Sequence, residues 1–267
     1  MRSSRAHGDD GAHAPGFGVR QDADTAPHLT WRDGAFHLRR AMREAVGAAA
    51  RDVARDAGAS RTGGAPRAFL VLDVGGRDRP YAEVVRGHLE QNGLEVRHRV
   101  VDAGGGGDIV GRAEALPLAS RSVDLVLCTQ VMEHVAEPGL AIGEMARVLK
   151  PGGRCLLTTH GTWFYHPDPE DYWRWTSAGL AALFRAGGFR DVTVRPVGGT
   201  KLAISVLALT AMERASGDGL AGSLMRTLVV PPANLAVSLL VRGRIMGRHN
   251  LPGDLVINYI VDARSPS

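Results

Sequence analysis

Phe69-Leu-Val-Leu-Asp-Val-Gly-Gly76 is a continuous apolar run closed by an acid and a glycine pair. Within it, Ala68–Leu72 shows no polar alternation, as expected of a parallel strand covered on both faces. Pro80 can open a helix at its first turn. Tyr81, Val84, Val85 and Leu89 then fall on one apolar face, and Asn92-Gly93 supplies the stop. Strand, glycine turn and helix in that order start a βαβ pattern, which places Asp73, Gly75 and Gly76 at the carboxyl end of a strand.

The pattern continues outward. Glu95–Val101 reads as a second strand, Asp108–Gly111 as a short third, and Val123–Cys128 as a fourth. Ile142, Met145, Ala146 and Leu149 mark a helix that Pro151-Gly152-Gly153 ends. Arg154–Thr159 is the fifth strand, Thr176 or Ser177 caps a helix through Arg185, and Asp191–Pro196 is the sixth. Alternating strands and helices predict right-handed crossovers and an α/β fold with a doubly wound, Rossmann-like sheet. Asp254–Val261 would be the seventh strand, antiparallel at the sheet's end.

Upstream, residues 1–34 form an arm, expected to be disordered over the Gly-, His- and Asp-rich residues 1–30. In residues 35–66, Leu38, Met42, Val46, Ala49 and Val53 recur at helical spacing, giving a helix that Gly58 ends and a linker at Ala59–Pro66. The core spans 67–197, and 252–267 hold the last strand and tail. Between them, 198–251 is a helical insertion with apolar stretches Leu202–Met212 and Leu220–Val241, the second broken by Pro231-Pro232. A lid, a homodimer interface, or an interfacial element with Arg242, Arg244 and Arg248 facing anionic head groups are its three readings.

Of 267 residues, 44% are hydrophobic and 22% charged, which is ordinary for a globular chain. The net charge of +4 comes almost wholly from arginine, since Lys150 and Lys201 are the only lysines. That charge is scattered, with no basic stripe interleaved with aromatics, so nucleic acid is not the expected partner. Cys128 and Cys155 sit in predicted strands as buried thiols of a reducing, cytoplasmic protein. No Cys or His spacing suggests a metal site. Arg2 and Arg5 are not followed by an apolar secretory region. No apolar run reaches the roughly 20 residues of a membrane span.

Four pieces in register carry a resemblance. The Asp73-x-Gly75-Gly76 turn, Ala113-Glu-Ala-Leu-Pro117, the Glu133-His134 end of strand four and Leu149-Lys-Pro-Gly-Gly153 are together similar to class I S-adenosylmethionine (SAM) methyltransferases of the type 11 kind. Residues 160–176 are similar to a Pro-x-Asp-Tyr-x-Arg-x-Thr acceptor-loop signature found in members that act on glycans or small metabolites. The resemblance implies SAM as cofactor, held by Asp73, Gly75, Gly76, Asp102, Ala113, Glu114, Leu116 and Gln130. Asp102 would accept from a ribose diol. The expected activity is O-methylation of a small-molecule or glycan-like acceptor. His160 and His166 are candidate bases on the loop after strand five. Tyr165, Asp171, Trp173 and Arg174 would bind the acceptor.

Two departures bear on the donor site. Arg77 and Arg79 stand where the family continues Gly-x-Gly, and Arg112 stands where it often has an adenine-accepting Asp. Arg has no acceptor atom. A methyltransferase-like partner or scaffold that has lost donor binding is therefore the rival reading. An oxidoreductase is disfavoured, because Gly-x-Gly-x-x-Gly is absent from the first turn.

Overall fold

The computed structural model describes residues 30–59, 68–77, 79–167, 170–240 and 254–266. The expected disorder of residues 1–29, most of the linker, and Arg242, Arg244 and Arg248 lie outside the described residues. The strands are β1 (Phe69–Val74), β2 (Val96–Asp102), β3 (Ile109–Val110), β4 (Val123–Thr129), β5 (Leu149–His160), β6 (Arg190–Val197) and β7 (Asn258–Arg264). They form one sheet in the order β3-β2-β1-β4-β5-β7-β6. β1 through β5 run parallel, and β7 is antiparallel to both neighbours.

The doubly wound, Rossmann-like sheet with an antiparallel last strand is thus as expected. The position of β7 is not: it lies between β5 and β6, not at the sheet's end. Its apolar run reflects this, because six of its seven residues are buried. β5 also begins earlier than expected. Leu149 already pairs with Val123, and a register shift absorbs the Pro151-Gly152-Gly153 turn before Arg154 meets Leu125.

The helices are α1 (Phe36–Ala59), α2 (Ala82–Gln91), α3 (Pro138–Val148), α4 (Ser177–Ala186) and α5 (Thr200–Ser216). α1 runs through Gly58, which was the expected stop. Successive strand residues point to opposite faces, so two cores form. On one face Val71, Leu125, Leu127 and Leu156 pack with α1, α2 and α5. On the other, Leu72, Val126, Cys128, Cys155 and Leu157 pack with α3 and α4. Both cysteines are free and buried, as read from the sequence.

The final helix, α6 (Leu220–Leu240), corrects two expectations. Pro231-Pro232 does not break it, and by length and composition it is apolar enough to cross a membrane. Proline removes an N–H and crowds the preceding turn. Here the preceding residues Met225–Val229 are wound as a π-helical turn, which adds one residue and re-phases the rest of the helix. The buried residues Gly222, Met225, Val230, Asn234 and Val237 consequently share one face despite their 3-5-4-3 spacing. That face packs on α5 and, toward its end, on α1; the Asn234 side chain donates to the carbonyls of Trp31 (3.0 Å) and Asp33 (2.9 Å), just before α1.

Candidate functional site

β1 and β4 are neighbours, yet the chain leaves them in opposite directions across the sheet. The crevice at the carboxyl ends of such strands is where ligands bind in doubly wound folds. Gly75 makes the turn there with φ +73°, and a Cβ on it would overlap the Val131 side chain. The carboxylate of Asp73 folds over Gly76, where a Cβ would overlap it. Both glycines are therefore required by space, and Gly75 by backbone conformation as well.

Asp73 is fully buried, and neither carboxylate oxygen has a hydrogen-bond partner among the described residues. His98 Nε2 on β2 faces it at 3.5 Å. Burial pushes the Asp73 carboxyl up to about 7, against the opposing pull of Arg79. Burial likewise pushes His98 down to about 4, helped by Arg79 and Arg86. Both groups move toward neutrality, so the pair is an imidazole beside an acid near its midpoint rather than an ion pair. His98 was not foreseen, since nothing in the sequence shows which β2 residue lies against β1.

Asp102 ends β2, where the sequence placed it. Its Oδ1 accepts from the amides of Gly104 (2.9 Å) and Gly106 (3.3 Å) and from Arg77 Nη2 (3.3 Å). The Arg77 side chain lies over the glycine run, because Cβ atoms on Gly104 or Gly106 would strike it. Arg79 adopts φ +51°, the left-handed region that favours glycine. Its Nη2 donates to both oxygens of Asp108 at 2.9 Å. Arg112 reaches Glu114 at 3.1 Å.

Ala113 and Leu116 are buried, with Glu114 beside them half-buried. A clamp from α3 fixes this stretch: Glu144 accepts from the Leu116 amide (2.8 Å), and Arg147 donates to the Leu116 carbonyl (2.9 Å). Glu144 and Arg147 were missed, although their i,i+3 spacing was a legible pairing signal. Gln130 has φ +56°, and its side-chain amide donates to Thr158 Oγ1 at 3.0 Å.

A second cluster forms where β4, β5 and the loop after β5 meet. Glu133 is fully buried, accepts from Thr159 Oγ1 (2.8 Å), and lies 3.2 Å from His160 Nε2. Its carbonyl accepts from the Tyr172 amide at 2.8 Å, fastening the loop to the end of β4. Burial, with the charges of His166, Arg174 and His134, holds His160 well below the ordinary histidine value. Its ring stacks on Trp163, with centroids 5.3 Å apart.

His166 Nδ1 lies 2.9 Å from the Phe164 carbonyl, which can only accept, and 3.4 Å from Asp171 Oδ2. In the neutral ring the Nδ1 proton would meet that carbonyl, and Nε2 would carry the lone pair. Asp171 and Arg174 form a two-point pair (2.6 and 2.7 Å). Burial opposes ionisation of Asp171, but Arg174 and the His166 amide bring its carboxyl down to about 2. Arg174 also donates to the carbonyls of Trp163, Phe164 and Trp173. Trp173 Nε1 donates to the Val135 carbonyl at 2.7 Å. Asp171, Trp173 and Arg174 thus build the loop, whereas Tyr165 is exposed.

Side-chain donors of Glu133, His160 and His166 lie within 4.8 Å of one another, as do those of His134, His166 and Asp171. No metal-ligand spacing was visible along the chain, because these residues come from three separate segments. Most of the donors are already engaged with Thr159, Phe164, Glu170 and Arg174.

Residues 72–157 match the family model described as a methyltransferase domain. An uncharacterized methyltransferase of Mycobacterium sp. (strain KMS) is 37% identical over 99 residues, covering 35% of this chain and 39% of that protein. The malonyl-[acyl-carrier protein] O-methyltransferase of Methylococcus capsulatus is 48% identical over 59 residues, 22% of each chain. The chain thus spans about two fifths of the length of the first of these relatives. A Haemonchus contortus phosphoethanolamine N-methyltransferase 2, solved with S-adenosylhomocysteine, aligns at TM-score 0.47 and 15% identity, over 79% of this chain and 52% of that one. Residues 72–157, the stretch similar to a methyltransferase domain, thus lie in a doubly wound, Rossmann-like sheet.

Proposed function

We propose that this chain is a SAM-dependent methyltransferase that methylates oxygen on a small-molecule or glycan-like acceptor. The observation that supports donor binding best is the buried, unpartnered carboxylate of Asp73 beside Gly75 and Gly76. A buried acid without a hydrogen bond is costly unless a ligand completes it, and a cationic amino group would do so. Asp102 offers its carboxylate to a ribose diol, and Ala113 and Leu116 offer an apolar floor beneath adenine. Arg79 and Arg112 are tied to Asp108 and Glu114.

Bound SAM supplies an activated sulfonium methyl, so orientation accounts for much of the rate. An alcohol or phenol acceptor would give up its hydroxyl proton on receiving the methyl, which asks for a base on the protein. His166 Nε2 is the better of the two candidate bases for that proton, because His160 is buried against Glu133 and held neutral. Asp171 then lies 3.4 Å from the nitrogen that carries the other proton, which favours the imidazolium formed. Tyr165, exposed on the same loop, is free to meet the acceptor.

Calorimetric titration with S-adenosylhomocysteine tests the reading. Micromolar binding that is lost in Asp102→Ala supports it. No heat at millimolar ligand would leave the rival, a methyltransferase-like partner protein whose ribose acceptor is occupied by Arg77.

A further inference from the structure

Imidazoles and carboxylates from three separate segments meet past the carboxyl ends of β4 and β5. The His166 ring lies 5.0 Å from that of His134 and 5.3 Å from that of His160, edge to face in both pairs. One side-chain donor atom from each of Glu133, His160 and His166 falls within 4.8 Å of the other two. Two imidazoles and one carboxylate are the ligand set of catalytic zinc and of non-haem iron sites, which keep a position open for substrate.

The contacts around these groups orient them rather than use them up. Thr159 Oγ1 holds Oε2 of Glu133 at 2.8 Å, and Oε1 faces His160 Nε2 at 3.2 Å. Stacking on Trp163, with 5° between the planes, fixes the His160 ring. His166 Nδ1 lies 2.9 Å from the Phe164 carbonyl, which leaves Nε2 of the neutral ring to ligate. Ligating histidines are commonly held this way, by a carbonyl or carboxylate on the other nitrogen. Atoms about 2.0–2.2 Å from a tetrahedral zinc sit about 3.3–3.5 Å apart. Glu133 and His160 already meet that spacing. A shift of at most about 1.5 Å brings in His166, which is half-buried on the loop after β5. The overlapping group of His134, His166 and Asp171 is the weaker set, because Asp171 is held by Arg174 at 2.6 and 2.7 Å.

We propose that Glu133, His160 and His166 bind a divalent transition-metal ion of the zinc class. Binding of the ion does not rest on the proposed methyl transfer, whereas its consequence does. An acceptor hydroxyl coordinated to the ion would release its proton to solvent more readily, and the ion would then take the place of His166 as base.

Calorimetric titration of the EDTA-treated, dialysed full chain with zinc chloride tests it. One ion per chain at micromolar or tighter affinity is expected, with magnesium, which prefers oxygen ligands, bound far less. Glu133→Gln and His166→Gln are each expected to weaken zinc binding at least about tenfold, the cost of losing even an outer partner of a metal ligand. Thermal melting checks folding, and His166→Gln on the loop decides if Glu133→Gln does not fold. His7, His13 and His28 offer zinc an unrelated site, so His7→Gln, His13→Gln and His28→Gln together are expected to leave the binding in place. No heat from the wild type, unchanged binding in folded His166→Gln, or loss of binding with those three histidines (an adventitious ion only) would overturn the proposal. S-adenosylhomocysteine titrated into the same proteins separates this inference from the methyltransferase reading. A chain that binds zinc but not S-adenosylhomocysteine upholds the metal site and fails the donor site, and the reverse result does the opposite.

Discussion

Arg77 Nη2 lies 3.3 Å from Asp102 Oδ1, so the acid that ends β2 is already engaged by a cation from the first turn. Arg77 is 49% exposed, and exposed ion pairs contribute only about 0.2–1 kcal/mol. A ribose diol can displace such a contact. Arg77→Ala is therefore expected to tighten S-adenosylhomocysteine binding by up to about fivefold, read by titration calorimetry. Weaker binding in that variant would show instead that Arg77 helps hold the ligand.

Gly75 gives a sharper structural test. Its φ of +73° and the Val131 side chain both exclude a Cβ. Gly75→Ala is expected to cost about 1–3 kcal/mol, a fall in Tm of about 2–4 °C per kcal/mol for a chain of this size. Gly143, inside α3 with open space around it, is the control. Gly143→Ala is expected to stabilise by about 0.5–1 kcal/mol.

Asp73 and His98 should leave opposite marks on stability against pH. A carboxyl raised from 3.8 to about 7 binds more protons folded than unfolded between those values, so its contribution falls as pH rises through that window. A histidine lowered from 6.5 to about 4 binds fewer, so its contribution rises with pH between about 4 and 6.5. In the wild type the two slopes oppose each other. Relative to it, Asp73→Asn is expected to steepen the rise of stability with pH, and His98→Gln to reverse it. Urea melts between pH 4 and 7 would show either outcome; identical slopes in all three proteins would sink the assignment.

The Asp171–Arg174 pair has the reverse sign. Asp171 falls from 3.8 to about 2 on folding, so its stabilisation is complete above the unfolded value and is lost as pH falls through about 2. Asp171→Asn is expected to cost about 1.5–3 kcal/mol at neutral pH. The gap from wild type should close between about pH 4 and 2 in acid denaturation curves.

Much of the core was legible because its signals are local. Ala68–Leu72 had to be a strand buried on both faces, and Asn92-Gly93 had to end a helix. Asp102 had to close β2, and the apolar stretch from Asp254 had to rejoin the sheet, although β7 itself starts only at Asn258 and runs on to Arg264. The misreadings came from longer range. Pro231-Pro232 looked like a break because the cost of proline is local, whereas the π-helical turn before it packs on α5, a contact the local sequence does not show. Gly58 looked like a stop, yet α1 continues to Ala59.

The sequence by itself determined which residues could be strand, turn or ligand, since hydrophobic period, glycine freedom and side-chain chemistry are properties of the chain. Only the tertiary structure decided which of them meet. It slid β7 between β5 and β6, because a strand apolar on both faces gains most where both are covered. It set His98 against Asp73 and Arg77 on Asp102. It also closed Asp171 and Arg174 on each other, so these two residues tie the loop together. The pairings of His98 with Asp73 and of Arg77 with Asp102 join groups 25 residues apart that meet only when the sheet buries its apolar surface, and no spacing along the chain records that distance.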